Sequence, residues 1–259
     1  NHTDFPYTAV SACTTEEHER GGIVLLLHNK WLHKVVGKPI IDKNGRWISM
    51  DIRTPRGRTS LIAAYLPPSP QHSYVAKKAW DDLVKFVISR HVKTKNHLVY
   101  LFGDLNASRC DPLQRKNTSN GVGQERLLNT LMDHGGLIDT FPTCNAGIKY
   151  RTWGNHNTWS SSDHILISAH ARQHATASQT SNVTIKLHGL DHNLLTTYID
   201  INGSGVIPKE DRTHINFDRK RVQTYMSDLD TSLDNIPDSA STEDAAHAYF
   251  SKCIETTLT

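Results

Sequence analysis

A chain of 259 residues, 37 % hydrophobic and 21 % charged, can bury one substantial core, as sandwich folds of this length do. No apolar run approaches the roughly 18 residues that a helical membrane span requires, and no secretory leader pattern opens the sequence, so the composition is that of a soluble globular protein. A net charge of +3 is compatible with a polyanionic partner without arguing for one. The chain starts at Asn1 without a methionine and reads as a fragment. Cys13, Cys110, Cys144 and Cys253 are scattered with no CxxC spacing, which suits the reduced thiols of an intracellular protein.

In chain order, a short strand is expected around Tyr7 to Ser11, followed by a polar turn over Thr14 to Arg20. Gly21 to His28 reads as a strand buried on both faces. Lys34 to Ile41, Arg46 to Arg53 and Thr59 to Leu66 are successive strand candidates. Asn44-Gly45 and Thr54-Pro55-Arg56-Gly57 supply the turns of an antiparallel meander. Ser73 is placed to cap a helix running to about Val92, whose Ala76, Trp80, Leu83, Val84 and Val87 recur at helical spacing. Leu98 to Asp104 is a core strand. A helix over Gln124 to Asp133 ends at Gly135-Gly136. Leu137 to Phe141, Asp163 to Ser168, Thr176 to Leu187 and Leu194 to Ile201 are further strand candidates. Gly203-Ser204-Gly205 marks a boundary, and Phe217 to about Leu233 and Ser241 to about Thr257 read as two helices. The expected domains are therefore 1–201 and a helical segment, 202–259.

Chemistry concentrates at strand ends. In Gly103-Asp104-Leu105-Asn106, strand alternation turns Asp104 and Asn106 to one side and Leu105 into the core. Together they can hold a water and a phosphate oxygen, although an Asx-rich turn capping its own backbone fits the same residues. Asp163 stands at the mouth of a strand, where a carboxylate can fix the tautomer of an imidazole from elsewhere. His164 turns to the opposite face as a structural residue. Asp191-His192 sets a residue able to ligate a hard cation beside one able to meet phosphate, although an ordinary surface turn before a strand fits the same residues. Asp133-His134 lies at a helix C-terminus and takes no role. Tyr65 carries a hydroxyl able to donate to a phosphate oxygen, or it is a core tyrosine with its tip in water.

Tyr65, Gly103-Asp104-Leu105-Asn106, Tyr150-Arg151-Thr152-Trp153, Ser162-Asp163-His164-Ile165 and Asp191-His192, in that order, resemble the endonuclease/exonuclease/phosphatase superfamily. Within it, residues 1 to about 201 look most like the endonuclease domain of LINE-like, non-LTR retrotransposons. The resemblance implies a four-layer α/β sandwich of two packed mixed sheets flanked by helices, with a C-terminal helical extension similar to the segment before a reverse transcriptase. It implies Mg²⁺, or Mn²⁺ in its place, and DNA as partner, with no membrane role and a nuclear, intracellular setting. Carried over by residue, Asp104 is the base for the attacking water, and Asn106 positions that water and the phosphate. Tyr65 donates to a phosphate oxygen, and His192 binds the phosphate. Asp163 orients His192, Asp191 holds the metal, and Thr152 contacts DNA near the site.

Two departures stand against the family pattern. Leu190 replaces a serine before Asp-His, and the family's early asparagine and metal-binding glutamate would lie upstream of Asn1. The expected activity is metal-dependent nicking of DNA. The alternatives are an apurinic-site repair endonuclease, a phosphatase acting on inositol or lipid phosphates, and a decayed remnant that binds nucleic acid without cleaving it.

Overall fold

The structure, a computed structural model, describes residues 7–13, 22–68, 74–93, 97–109, 113–116, 124–154, 157–180 and 192–201. The chain divides into two compact units. One consists of Asn1–Phe5, Ile185–Leu190 and Pro208–Thr259 and lies outside the described residues, as do the two helices expected after Gly205. The other contains all the described residues.

Its elements are β1 (Tyr7–Cys13), β2 (Gly22–His28), β3 (Ile40–Ile41), β4 (Trp47–Thr54), β5 (Gly57–Tyr65), α1 (Tyr74–Lys93) and β6 (His97–Asp104). They continue with β7 (Arg115–Lys116), α2 (Glu125–Gly135), β8 (Leu137–Asp139), α3 (Thr140–Cys144), β9 (Trp153–Gly154), β10 (Trp159–Ser160), β11 (Asp163–Ser168), β12 (Ala175–Thr180) and β13 (Leu195–Ile199).

Six of the strands form a mixed sheet in the order β3-β4-β5-β6-β11-β8. The expected meander is present as β3-β4-β5, all antiparallel. α1 then carries the chain back so that β6 lies parallel to β5, because parallel neighbours need a long crossover. Alternate side chains divide the sheet's two faces. Ile62, Ala64, Val99 and Leu101 point to one side and meet Trp80, Leu83 and Val87 of α1 and Leu128 and Leu131 of α2. Each of these fully buried large side chains contributes about 1.5–3 kcal/mol by leaving water. The opposite face is covered by two antiparallel strand pairs, β1-β2 and β12-β13. Ile23, Leu25 and Leu27 pack on Ile48, Met50 and Ala63, and Ala175 and Ile199 pack around Leu98, Tyr100 and Ile167. The result is a layered α/β sandwich with the mixed sheet between helices and strands.

Several elements differ from expectation for local reasons. β2 is buried on one face only, with Leu26 46 % exposed, because the strand pair has a single sheet beneath it. The strand expected over Lys34 to Ile41 shrinks to two residues. Asn29–Lys34 instead forms a 3₁₀ turn capped by the His28 ring, and Gly37 (φ 77°) and Pro39 interrupt the extended backbone before Ile40. The strand over Leu137 to Phe141 stops at Asp139, whose carboxylate accepts the Phe141 N–H at 3.2 Å and starts α3.

Candidate active site

The C-terminal ends of β5 and β6 and the start of β11 converge in one row. Tyr65 is the Cα partner of Asp104 in the parallel β5-β6 register, and Asp163 is the Cα partner of Asp104 in the antiparallel β6-β11 register. Three residues distant in sequence therefore share one face of three adjacent strands. Gly103 makes the row possible. Its φ is 136°, and a Cβ there would lie 2.0 Å from the Ala64 carbonyl oxygen, so β5 and β6 approach this closely only around a glycine.

Asp104 and Asn106 do come together, but not by strand alternation. β6 ends at Asp104, and Asn106 adopts φ 49°, a left-handed conformation that asparagine tolerates better than other side chains. The Asn106 N–H donates to Asp104 Oδ1 at 2.8 Å, forming the Asx turn that was the alternative account of these residues. Leu105 is fully buried as expected. Asn106 Nδ2 donates to Leu66 O at 2.8 Å and Asp104 Oδ2 at 3.1 Å, so both amide hydrogens are engaged and the carbonyl Oδ1 is the end left to meet a ligand. An acceptor suits a water or a cation. The phosphate contact expected of Asn106 would need a donor.

His192 closes the site. Its Nδ1–H donates to Asp163 Oδ2 at 2.8 Å, the pairing expected of these two residues. Its Nε2 lies 4.0 Å from Asp104 Oδ2, too long for a hydrogen bond and short enough for one oxygen atom to bridge both groups. The backbone of residue 192 bridges Trp153, and Asn193 ties the same loop to Thr152 O at 2.6 Å and to Arg151 O at 2.9 Å. Thr152 itself has no exposed surface. Its Oγ1 accepts the N–H groups of Ser162 and Asp163, each at 3.0 Å. The DNA contact expected of Thr152 thus gives way to a role beneath the site, holding Asp163 and the His192 loop together. Asp191, the expected metal ligand, lies outside the described residues.

Burial pushes the Asp104 carboxyl up to about 6, and the Asp163 charge beside it adds to the rise against the pull of Asn106, His192 and Ser162. Asp104, Asp163 and His192 each present a ligand atom, all within 4.8 Å of one another. The Asp104 carboxylate and the Asn106 amide oxygen are hard donors of the type Mg²⁺ takes, and a cation would offset the burial and the Asp163 repulsion that raise Asp104. The donor set therefore fits a divalent ion. The 2.8 Å Asp163–His192 hydrogen bond commits those two atoms to each other, which leaves Asp104 as the described carboxylate best placed toward an ion.

Three contributors carry no role in the sequence reading. Ser162 Oγ donates to Asp163 Oδ2 at 3.2 Å. Arg46 is only 2 % exposed. Its carbonyl accepts the Tyr65 N–H at 3.0 Å, and its guanidinium stands 6.0 Å from the Tyr65 ring centre. Asn193 anchors the His192 loop. The run Ser160-Ser161-Ser162 and the Asn after Asp-His were the available signals.

The sequence matches no family profile and no curated protein. Solved structures do match the fold. AP endonuclease LMAP from Leishmania major superposes with TM-score 0.62 at 14 % identity, covering 75 % of this chain and 70 % of that one. The 3' phosphatase NExo from Neisseria, bound to a product DNA hairpin, gives 0.59 at 16 % identity over 76 % and 80 %. The 3'-5' exonuclease NExo from Neisseria meningitidis gives 0.57 at 16 % identity over the same shares, 76 % and 80 %. The chain shares the α/β sandwich fold of these three structures. At these identities the likeness concerns the fold, and function has to be argued from the site.

Proposed function

We propose that this protein is a divalent-metal-dependent phosphodiesterase that nicks DNA, of the non-LTR retrotransposon type. The observation that carries the proposal is the facing pair His192 Nε2 and Asp104 Oδ2, 4.0 Å apart, with Asp163 behind His192. Asp104, ionised, takes the proton of the attacking water as the water oxygen bonds to phosphorus and the bond to the leaving oxygen breaks, that oxygen taking a proton from solvent. Asn106 Oδ1 accepts from that water and fixes its direction. His192, steadied through Nδ1 by Asp163, meets the phosphate through Nε2 and as imidazolium offsets its developing charge. Tyr65, next in the row, offers its hydroxyl to a phosphate oxygen. The ion, Mg²⁺ or Mn²⁺, supplies further charge compensation, and its ligands would be Asp104 and Asp191.

Supercoiled plasmid incubated with Mg²⁺ should convert to the nicked form, and EDTA, Asp104→Ala or His192→Ala should each abolish the conversion. Absence of metal-dependent cleavage of plasmid and abasic duplex, and of phosphate release from inositol phosphate, would leave the non-catalytic reading. The alternative is a repair-type activity, such as the name of the AP endonuclease LMAP carries, and preference for abasic duplex over plain plasmid would select it. A retrotransposon enzyme would work in the nucleus, beside a reverse transcriptase of the same polyprotein.

A further inference from the structure

Behind the candidate site lies a second, fully enclosed set of titratable groups. His164 follows Asp163 on β11, points to the other face of the sheet and is 1 % exposed. Its Nε2 is 2.8 Å from Ala107 O, and its Nδ1 is 2.8 Å from Asp139 Oδ2. The Tyr150 hydroxyl lies 3.1 Å from the same Asp139 oxygen, 3.0 Å from Asp163 O and 3.0 Å from His164 Nδ1. The Tyr150 ring stacks on Phe141 at 4.4 Å.

A carbonyl only accepts, so Nε2 carries a hydrogen. A carboxylate only accepts, and at 2.8 Å Asp139 Oδ2 is a nearer partner of Nδ1 than the Tyr150 hydroxyl at 3.0 Å, so Nδ1 carries one too. We propose that His164 is a positioning residue, held as a doubly protonated ring between Asp139 and the Ala107 carbonyl, and that it sets the Asp104–Asn106 turn from behind. Burial opposes the charged ring, but Asp139 and the Ala107 carbonyl outweigh it and the net direction is upward.

The connection to the site is short. Ala107 follows Asn106, whose left-handed backbone aims the whole turn, so the His164–Ala107 bond anchors the far side of that turn. The Tyr150 hydroxyl, donating to Asp163 O, anchors the neighbouring carboxylate. One buried charge pair thus ties the end of β6 to the start of β11 at the two residues where the site needs them fixed. A buried pair of this kind is weak evidence for stability, and fixing a unique geometry is the better-attested use.

The inference rests on the proposed nuclease activity only in its kinetic arm. In the full chain at pH 7, ¹⁵N–¹H spectra should show both ring N–H groups of His164, protected from exchange, and a single ring N–H would overturn the assignment. His164→Gln can meet Ala107 or Asp139 but not both. It should abolish exchange protection of the Asn106 amide while amides of β4 and β5 keep theirs, and should lower kcat on the order of 10²-fold with KM nearly unchanged, the usual cost of about 1 Å of misplacement. An Asn106 amide as protected in the variant as in the parent would also overturn it. Should His164→Gln fail to fold, Tyr150→Phe keeps the ring stack and removes only the hydroxyl. It should speed exchange of the His192 ring N–H held by Asp163 while both His164 signals persist, and unchanged His192 exchange would count against the network. A parent chain that shows these signals yet nicks no DNA supports the positioning network and refutes the nuclease proposal.

Discussion

Asp104 and Asp163 are direct Cα partners on adjacent antiparallel strands, two carboxylates on one sheet face with His192 reaching over both. Like charges directly opposed across a sheet destabilise it, and here the cost falls on Asp104, which burial first and the Asp163 charge second raise to about 6 from an ordinary 3.8. A cost retained in the folded state at one end of one strand is what a site that recruits a cation would carry.

This raised carboxyl gives the pH effect its sign. Between about 4 and about 6 the folded protein holds a proton on Asp104 that the unfolded chain has released, so stability falls as pH rises through that window. The loss amounts to about 2–3 kcal/mol. Denaturant titrations in EDTA should show this fall in the parent chain and a flatter profile in Asp104→Asn. Adding Mg²⁺ at pH 7 should raise the parent's midpoint and leave the variant's in place.

Asp163→Asn separates the two tasks of that carboxylate. It removes the charge that raises Asp104 and weakens the acceptor that holds His192. The pH–rate profile of nicking should move its acidic limb to lower pH, and kcat should drop by about 10²–10³-fold, as when one preorganised donor is lost. An acidic limb that stays in place would show that Asp104 is not the group titrating there.

Thr152→Val keeps the shape of a buried side chain and deletes the acceptor for two backbone N–H groups. Each orphaned donor costs about 1–3 kcal/mol, so urea denaturation should register a loss of at least that size. Nicking should lose kcat rather than DNA affinity. A variant with normal kcat and a raised KM would restore the direct DNA contact that the residue's burial argues against.

Gly103→Ala places a Cβ against the Ala64 carbonyl, a backbone atom that cannot swing aside. Overpacking and the strained φ together should cost more than about 3 kcal/mol. Circular dichroism and solubility will report it. A well-folded Gly103→Ala variant would mean that β5 and β6 are spaced differently.

Much of this architecture is legible in periodicity and punctuation. The β4-β5 hairpin, α1 with its stripe of Trp80, Leu83 and Val87, and the apolar run of β6 follow from spacing alone. The site was legible as an order of short motifs, none specific by itself. Register was not legible. The sequence does not say that Tyr65, Asp104 and Asp163 fall in one row, since that depends on where three strands stop sliding against each other. Nor does it reveal that Asn106 meets Asp104 through a left-handed turn, because the dipeptide spacing fits strand and turn equally. Asp139 illustrates the remaining gap. It ends β8, caps α3 and holds His164, three tasks for one carboxylate that only tertiary neighbours define.

The single line shared by β5, β6 and β11 makes the sheet a ruler as well as a scaffold. A one-residue slip of β6 would swing Asp104 toward the helices and put Leu105 in the opening, erasing the constellation while leaving an apolar strand in an apolar sheet. Mutations in this region should therefore divide sharply. Those that keep the strands in phase tune the rate, and those that shift the phase remove the site outright, with no graded series between them.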